Sequence, residues 1–383
     1  MTLSSRERIL KALDHEEPDR VPIDIGGYIS TVRTIKAYEN LKKFLGFPKG
    51  DFKIFHAEHM VIDDFVVKRL HADTLYVRPQ PLKDRYKRYP GKIVEDEWGI
   101  KFHKSENSLY YELHEPPLKE PYKEIIEDYE WPDPNEPVRY EGLEDEAKRL
   151  YEKTDYCIVL DHLTPLFGEG LLEKAWYLRG FQEFLKDMII RPEFVETLLK
   201  KLHQIQMTHF GEVLDRVGDY IQIAEVMSDF GMQDRMIFSP IFYRRFFKPF
   251  DAKLIEFIKK KARVKVLYHT CGSLYPIIPD YIENGVDILN PIQPRAKDMQ
   301  SSKLKEEFGD SLCFHGGFDI QQILPYGTID EVKEEAKRVI RELAHDGGYI
   351  FAPAHCIQPD VPPENIVTMY DSAFKYGKYP IPF

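Results

Sequence analysis

The alternation of apolar and polar positions predicts a chain built from repeated strand–helix units. Short apolar runs recur along the sequence, and most are followed by a segment with the apolar spacing of an amphipathic helix. From residue 157 onward the runs show little alternation, which is typical of strands covered on both faces in a parallel sheet. The pattern therefore favours a parallel α/β fold.

Eight predicted strands indicate a (β/α)8 barrel of the TIM type. They are Val21–Gly27, Asp73–Val77, Cys157–Leu160, Tyr220–Ala224, Val264–Tyr268, Asp287–Asn290, Leu312–Phe314 and Tyr349–Ala352. The longest predicted helices are Phe194–Val217, Ser239–Lys261 and Thr328–Ala344. A capping-box sequence opens the last of these, and another, at Ser4 and Glu7, opens a short N-terminal helix.

The segment from about residue 80 to 155 interrupts this rhythm, because it is rich in charged residues, tyrosine and proline. Within it, Lys92–Lys104 and Tyr110–His114 predict an inserted hairpin or lid rather than barrel strands. No repeat, low-complexity tract or clear linker divides the chain. We therefore expect residues 1–383 to form a single barrel domain that carries this insertion.

Composition argues against some classes of function and indicates the cellular compartment. The formal net charge of -11 argues against non-specific nucleic-acid binding, which needs a basic face. We see neither an N-terminal signal segment nor an apolar run near the ~20 residues of a membrane span, so we expect a cytoplasmic protein without a membrane partner. In a reducing cytoplasm its four cysteines are better candidates for metal ligands than for disulfides.

Polar residues gather where the predicted strands end, which is where barrel enzymes carry their active sites. The catalytic candidates are Asp161, Glu225, Asp229 and His315. The substrate-binding candidates are Asp24, His162, Asn290 and Gln293, with Trp98 from the insertion. Two readings stay open: His162 and His315 bind substrate, a loop or a metal ligand, and Asp229 acts on substrate or caps its loop.

Three further residues predict a metal site. His269 and Cys271 stand two apart at the end of a strand, so their side chains leave the same face. Cys356 lies in a proline-bounded turn after the last strand, and barrel closure brings it to the same rim. One imidazole and two thiols suit Zn²⁺ and leave a fourth coordination position open for a reactant. Glu225 or Asp229 is the candidate for a fourth ligand that a reactant displaces. Cys157 and Cys313 lie inside apolar strands and are predicted to be buried.

The chain ends carry a resemblance to a known family. Arg6–Leu13 with Pro18–Pro22, and Val361–Ile366 near the C-terminus, resemble the uroporphyrinogen decarboxylase superfamily. The metal set matches the His-x-Cys and distant Cys that mark its zinc- and corrinoid-dependent methyltransferase branch. The decarboxylase branch needs N-terminal arginines for porphyrin carboxylates, and after Asp24 this chain has none until Arg33.

The resemblance implies a (β/α)8 barrel that moves a methyl group between a small C1 substrate and the cobalt of a corrinoid. It implies Zn²⁺ as cofactor and, as partner, a separate protein that carries the corrinoid. The chain has 23 Tyr and 24 Phe, which favours demethylation of a methoxy-aromatic donor. Four alternatives stay open: a methylcobamide:thiol (coenzyme M-type) methyltransferase, a uroporphyrinogen decarboxylase-like enzyme, a non-catalytic barrel that binds a corrinoid protein, and a structural zinc site. A homodimer is a further candidate assembly.

Overall fold

The structure, a computed structural model, describes residues 2–48, 53–56, 59–79, 85–106, 108, 110–161 and 170–381. The strands are β1 Ile54–His56, β2 His59–Met60, β3 Thr74–Val77, β4 Lys87–Tyr89, β5 Ile93–Glu95, β6 Lys101–His103, β7 Glu112–Glu115, β8 Cys157–Leu160, β9 Ile223–Met227, β10 Lys265–His269, β11 Ile288–Ile292, β12 Cys313–Phe318 and β13 Tyr349–Pro353. The helices are α1 Ser5–Leu13, α2 Gly27–Ser30, α3 Ile35–Phe44, α4 Asp64–Arg69, α5 Lys123–Asp128, α6 Leu143–Lys153, α7 Leu171–Arg179, α8 Phe181–Ile190, α9 Pro192–Val217, α10 Pro240–Phe246, α11 Lys248–Lys261, α12 Ile278–Glu283, α13 Ser301–Phe308, α14 Ile323–Tyr326, α15 Ile329–Leu343 and α16 Pro363–Tyr376.

A curled parallel sheet forms the wall of the barrel. Its strand order is β13-β12-β11-β10-β9-β8-β3, and each neighbouring pair runs parallel. Residues 21–25, here called the closing segment, lie between the two edges of this sheet. Ile23 bridges Phe351 of β13 in parallel, and its carbonyl accepts a hydrogen bond from the Asp73 amide beside β3. Seven of the eight predicted strands therefore form this sheet, and the closing segment, joined by an isolated bridge, takes the place of the predicted strand Val21–Gly27. The predicted (β/α)8 barrel is confirmed.

Two boundaries differ from the sequence prediction. The predicted helix Ser239–Lys261 is broken at Phe247 into α10 and α11. Pro249 lies in the first turn of α11, where its missing N–H costs nothing, but it cannot continue a preceding helix. β9 begins at Ile223 rather than Tyr220, because residues 218–222 still belong to the turn that leaves α9.

The strands separate two apolar layers by the period-two alternation of their side chains. One set faces the helices outside the barrel and forms the large core. The other faces the barrel interior and includes Val159, Leu267 and Ile350, with Ile9 and Leu13 of α1 packed among them. Cys157 and Cys313 belong to this inner layer and are buried, as predicted. Helix α1 therefore plugs the amino-terminal end of the barrel, and the carboxyl-terminal end, here called the mouth, is left for polar groups.

The insertion contains an antiparallel sheet with the order β4-β5-β6-β7. The β5–β6 hairpin falls within the predicted Lys92–Lys104 segment, and β7 overlaps the predicted Tyr110–His114 strand. The partition of the chain into domains stays a prediction. Among the described residues, no helix is long and apolar enough to cross a membrane.

The plug helix is tied to the barrel through a buried carboxylate, which makes a test of the fold. Asp73 is fully buried and accepts hydrogen bonds from Arg8 at 2.8 Å and from Arg20 at 2.8 Å. We expect Asp73→Ala to lower the free energy of unfolding by about 3–5 kcal/mol, because it leaves buried guanidinium charge uncompensated. Urea denaturation measures the change. Glu334→Ala breaks an exposed ion pair with Lys337 and should leave the midpoint unchanged; equal effects of both variants would contradict this account.

Candidate metal centre

Two side chains from the end of β10 form the centre of the site. His269 is the last residue of β10 and is buried, and Cys271 follows it at the mouth. The Nε2 atom of His269 lies 3.4 Å from the Sγ atom of Cys271. The two-residue spacing therefore places imidazole and thiol side by side, as the sequence predicts.

A second histidine completes a cluster of three ligand atoms. Among the described residues, His269, Cys271 and His355 each offer a ligand atom within 4.8 Å of the others. The predicted third ligand, Cys356, lies beside this cluster, and its Sγ is 3.0 Å from Nδ1 of His355 and accepts a hydrogen bond from Gln358 at 3.2 Å. Cys356 as a ligand stays a prediction, and His355 is a candidate that the sequence reasoning did not single out.

The loop that carries Cys271 is held from both sides by polar side chains. Asp229, after β9, accepts a hydrogen bond from the Cys271 amide at 2.6 Å. Gln293, after β11, accepts one from the Gly272 amide at 3.0 Å. In this structure Asp229 and Gln293 thus position the metal loop, and their predicted catalytic and substrate-binding roles stay predictions.

Glycine is required where this loop meets the loop after β9. Gly272 has a φ of +88°, in the region that side chains with a Cβ rarely adopt. A Cβ added there would lie 2.5 Å from the carbonyl carbon of Gly231. The backbones of the two loops therefore touch directly at Gly231 and Gly272, and this contact holds the loop that carries Cys271 against the loop after β9.

The two thiols have opposite electrostatic surroundings. Burial raises the pKa of Cys271, and the negative charges of Asp229 and Cys356 raise it further. Burial also acts to raise the pKa of Cys356, but the charge and hydrogen bond of His355, together with Arg33, outweigh it and hold the pKa below its ordinary value. Burial works against the charge of His355, yet Cys356 and Asp229 leave its pKa raised. The surroundings of this pair therefore favour the charged form of each group, the thiolate of Cys356 and the imidazolium of His355.

This donor set fits a zinc ion. Imidazole nitrogen and thiolate sulfur are the ligands that Zn²⁺ prefers, and three protein ligands leave one position for a reactant.

Behind His269, polar side chains continue across the inside of the barrel. Nδ1 of His269 contacts Oδ1 of Asn290, and Nδ2 of Asn290 lies 2.6 Å from Nδ1 of His315. Nε2 of His315 lies 3.1 Å from Oδ2 of Asp24. The structure thus occupies the polar atoms of three predicted site residues with one another, and their predicted contacts with substrate stay predictions.

The remaining predicted residues lie at different depths. Asp161 is fully buried, with its Oδ2 2.9 Å from Arg78. Glu225 is the middle residue of β9 rather than a strand end, and it is also fully buried. Trp98 is buried inside the insertion, where its ring packs against Trp131. His162 lies outside the described residues.

Two residues at the mouth were not anticipated from the sequence. The guanidinium of Arg33 lies 4.2 Å from the ring centre of Tyr110, and the Tyr110 hydroxyl donates to Gln358 at 3.3 Å. Burial raises the pKa of Tyr110, and the charges of Cys356 and Cys271 add to the effect. The insertion therefore reaches Cys356 through Tyr110 and Gln358, whose amide donates to the thiol at 3.2 Å. No local sequence pattern signals this contact between distant segments.

Comparison with known proteins identifies the family to which the chain belongs. A family model described as Uroporphyrinogen decarboxylase (URO-D) matches residues 160–376, which is more than half of the chain. The chain belongs to the uroporphyrinogen decarboxylase family. The resemblance predicted from the sequence is thereby confirmed, and membership of this family indicates an enzyme.

The individual family relatives are distant. A uroporphyrinogen decarboxylase from Chlorobium luteolum is 26% identical over 237 residues, covering 58% of this chain and 61% of that protein. One from Chlorobium chlorochromatii is 25% identical over 223 residues, covering 54% of this chain and 58% of that protein. The chain therefore spans about three-fifths of the length of these curated family members.

A solved structure extends the likeness to the whole fold. A methyltransferase from Methanosarcina mazei superposes with a TM-score of 0.66 at 18% identity, covering 98% of this chain and 99% of that one. At this identity the likeness establishes the shared barrel fold alone.

The glycine contact at the metal loop gives a test. We expect Gly272→Ala to lower the free energy of unfolding by about 1–3 kcal/mol more than Gly46→Ala, because only the first forces two backbones apart. Gly46 is the matched control, since its φ is +76° and nothing lies within 4 Å of an added Cβ. Chemical denaturation compares the two variants, and equal losses would mean that the loop contact is not close-packed.

Proposed function

We propose that this protein is a zinc-dependent methyltransferase that moves a methyl group between a small C1 substrate and the cobalt of a corrinoid held on a separate protein. The observation that carries the proposal is the cluster of His269, Cys271 and His355 at the barrel mouth, with Cys356 beside it. Family membership and the structural likeness to a methyltransferase support it.

The ligand set determines what the ion contributes. When bound, zinc supplies Lewis acidity that stabilises negative charge on the heteroatom that gains or loses the methyl group. Two thiolates and His269 give an overall neutral centre, whereas Cys271 with His269 and His355 leaves one positive charge. Either set can lower the pKa of a bound thiol or polarise an ether or alcohol oxygen, and the second set does so more strongly.

Asp229 is the proposed proton carrier at this mouth. Its Oδ1 lies 3.8 Å from Nε2 of His269, and its side chain is 36% exposed, so it can meet a reactant beside the ion. Asp161 and Glu225 are fully buried below that level. A positioned carboxyl of this kind protonates a leaving oxygen or orients an incoming hydroxyl.

Methoxy-aromatic compounds are the proposed methyl donors. Tyr110 contributes an aromatic ring that is linked to Cys356 through Gln358, and the buried Arg33 lies against its face. A reactant at the fourth position of the ion would enter next to this pair. Methyl transfer to a thiol of the coenzyme M type is the second candidate, favoured by the thiolate character of Cys356 and its neighbour His355.

The metal proposal predicts a specific pattern of zinc loss. We expect about one zinc ion per chain in the purified protein, and Cys271→Ser and Cys356→Ser should each lose it together with methyl transfer. His355→Gln should retain it. Metal analysis by mass spectrometry measures all three, and Cys313→Ala, which removes a buried thiol of the inner layer, is the control.

The reverse pattern, zinc kept in Cys356→Ser and lost in His355→Gln, would assign His355 as the third ligand. A chain that binds no zinc in any form would refute the proposed function and favour a metal-free, decarboxylase-like activity. If Cys271→Ser loses zinc and unfolds at lower denaturant while the wild type transfers no methyl group, the site is structural.

The donor proposal is tested with free reduced corrinoid. We expect the cobalt absorbance to change to that of the methylated form when the protein is incubated with a methoxybenzoate, and to change little with methanol or methylamine. Asp229→Asn should slow this reaction by about 10²–10⁴-fold if it carries the proton, with zinc content unchanged. Loss of methyl from methyl-corrinoid to a thiol, without reaction of the ethers, would favour the thiol methyltransferase.

A further inference from the structure

We propose that Asp24 fixes the tautomer of the metal-binding His269, acting through His315 and Asn290, so that Nε2 of His269 carries the lone pair. The four side chains come from four separate segments of the barrel wall: the closing segment, β12, β11 and β10. The inference rests on the proposed function only in that the metal centre uses this lone pair. It assigns Asp24, Asn290 and His315 as positioning residues.

The direction of the chain is set by its Asp24 end. The carboxylate accepts hydrogen bonds from Ser30 at 2.5 Å, from Tyr76 at 2.9 Å and from Thr74. Burial acts to raise the pKa of Asp24, but the hydrogen bonds from His315, Ser30 and Thr74 outweigh it and lower the pKa. An ionised carboxylate can only accept, so Nε2 of His315, 3.1 Å away, must carry a proton.

The remaining polarity follows one bond at a time. Nδ2 of Asn290 is an amide nitrogen that can only donate, and it lies 2.6 Å from Nδ1 of His315. Nδ1 of His315 therefore accepts this hydrogen bond, and the ring carries its proton on Nε2. The amide oxygen of Asn290 then faces Nδ1 of His269 and accepts from it. His269 is therefore protonated on Nδ1, and its Nε2 lone pair points to the side of Cys271, 3.4 Å away.

Strand register and burial preserve this arrangement. His269 pairs with Asn290 in the β10–β11 register, and Leu289 pairs with Phe314 one residue before Asn290 and His315. His315 of β12 reaches Asp24 of the closing segment across β13, which lies between them. Asp24, Asn290 and His315 are at most 2% exposed, so solvent does not compete for these bonds.

The direction of this series of hydrogen bonds would reverse if residue 24 could donate a hydrogen bond to His315. In Asp24→Asn the new amide can donate to Nε2 of His315, which moves the His315 proton to Nδ1. Asn290 would then turn its amide, donate to Nδ1 of His269, and leave the proton on Nε2, where the metal must bind. Restoring a carboxylate next to His269, in the Asp24→Asn/Asn290→Asp double variant, should return the proton to Nδ1.

Nitrogen-15 correlation spectra of histidine-labelled, metal-free protein test this directly. We expect His269 to be protonated on Nδ1 in the wild type, on Nε2 in Asp24→Asn, and again on Nδ1 in the double variant. Its signals are assigned by their absence in His269→Gln. The same tautomer in the wild type and in Asp24→Asn would overturn the inference, whether or not the protein binds zinc.

Zinc affinity, measured by chelator competition, is the second readout. We expect Asp24→Asn to weaken zinc binding by about 10- to 100-fold and the double variant to restore it. Tyr76→Phe is the matched control, because it removes one hydrogen bond to the same carboxylate and leaves its polarity intact. Equal weakening by Tyr76→Phe, or no rescue in the double variant, would mean that Asp24 acts through packing alone. A wild type with the expected tautomer but no affinity for zinc would refute the proposed function and leave the tautomer assignment standing.

Discussion

The register of three adjacent parallel strands is the constraint on which the site depends. Parallel pairing places His269 of β10 beside Asn290 of β11. Leu289 pairs with Phe314 of β12 just before the register of these two strands shifts, and the amide nitrogen of Asn290 lies 2.6 Å from His315. Because side chains alternate along each strand, all three point into the barrel at one level, above the apolar layer closed by α1. A shift of one residue in any of these strands would send one polar group to the helix side and bury it without its partner.

Because this polar layer is buried, the loss of any one of its hydrogen bonds would cost more free energy than the loss of an exposed one. A buried donor or acceptor without a partner costs about 1–3 kcal/mol, and a charged one costs more. Asp24 carries the charge of the layer, and its acceptor-only character propagates to His269 through neutral groups. The buried hydrogen bonds therefore fix the orientation of the His269 imidazole. The thiols of Cys271 and Cys356 lie on loops beyond the strands, and contacts with neighbouring loops and side chains hold them in position.

Much of the fold could be predicted from the sequence, because apolar runs and their spacing are local properties. The strands β8 and β13, the helix α9 and the capping box of α15 match the prediction within one or two residues. The break between α10 and α11 was missed because apolar spacing continues across it. His269 and Cys271 were found from their spacing on one strand, and His355 was passed over because its neighbour Cys356 satisfied the same expectation.

The contacts that could not be predicted join segments far apart in the chain. Tyr110 of the insertion meets Arg33 and Gln358 at the mouth, and Asp24 meets His315 across β13. Each contact depends on how the barrel closes, which no window of sequence reports. These two contacts also divide the centre into unlike halves. The imidazole side is fixed by a buried chain of hydrogen bonds, whereas the thiol side borders loops and an aromatic ring of the insertion. Under the proposed function, a reactant would therefore enter and leave on the thiol side, because on the imidazole side buried hydrogen bonds hold the polar side chains.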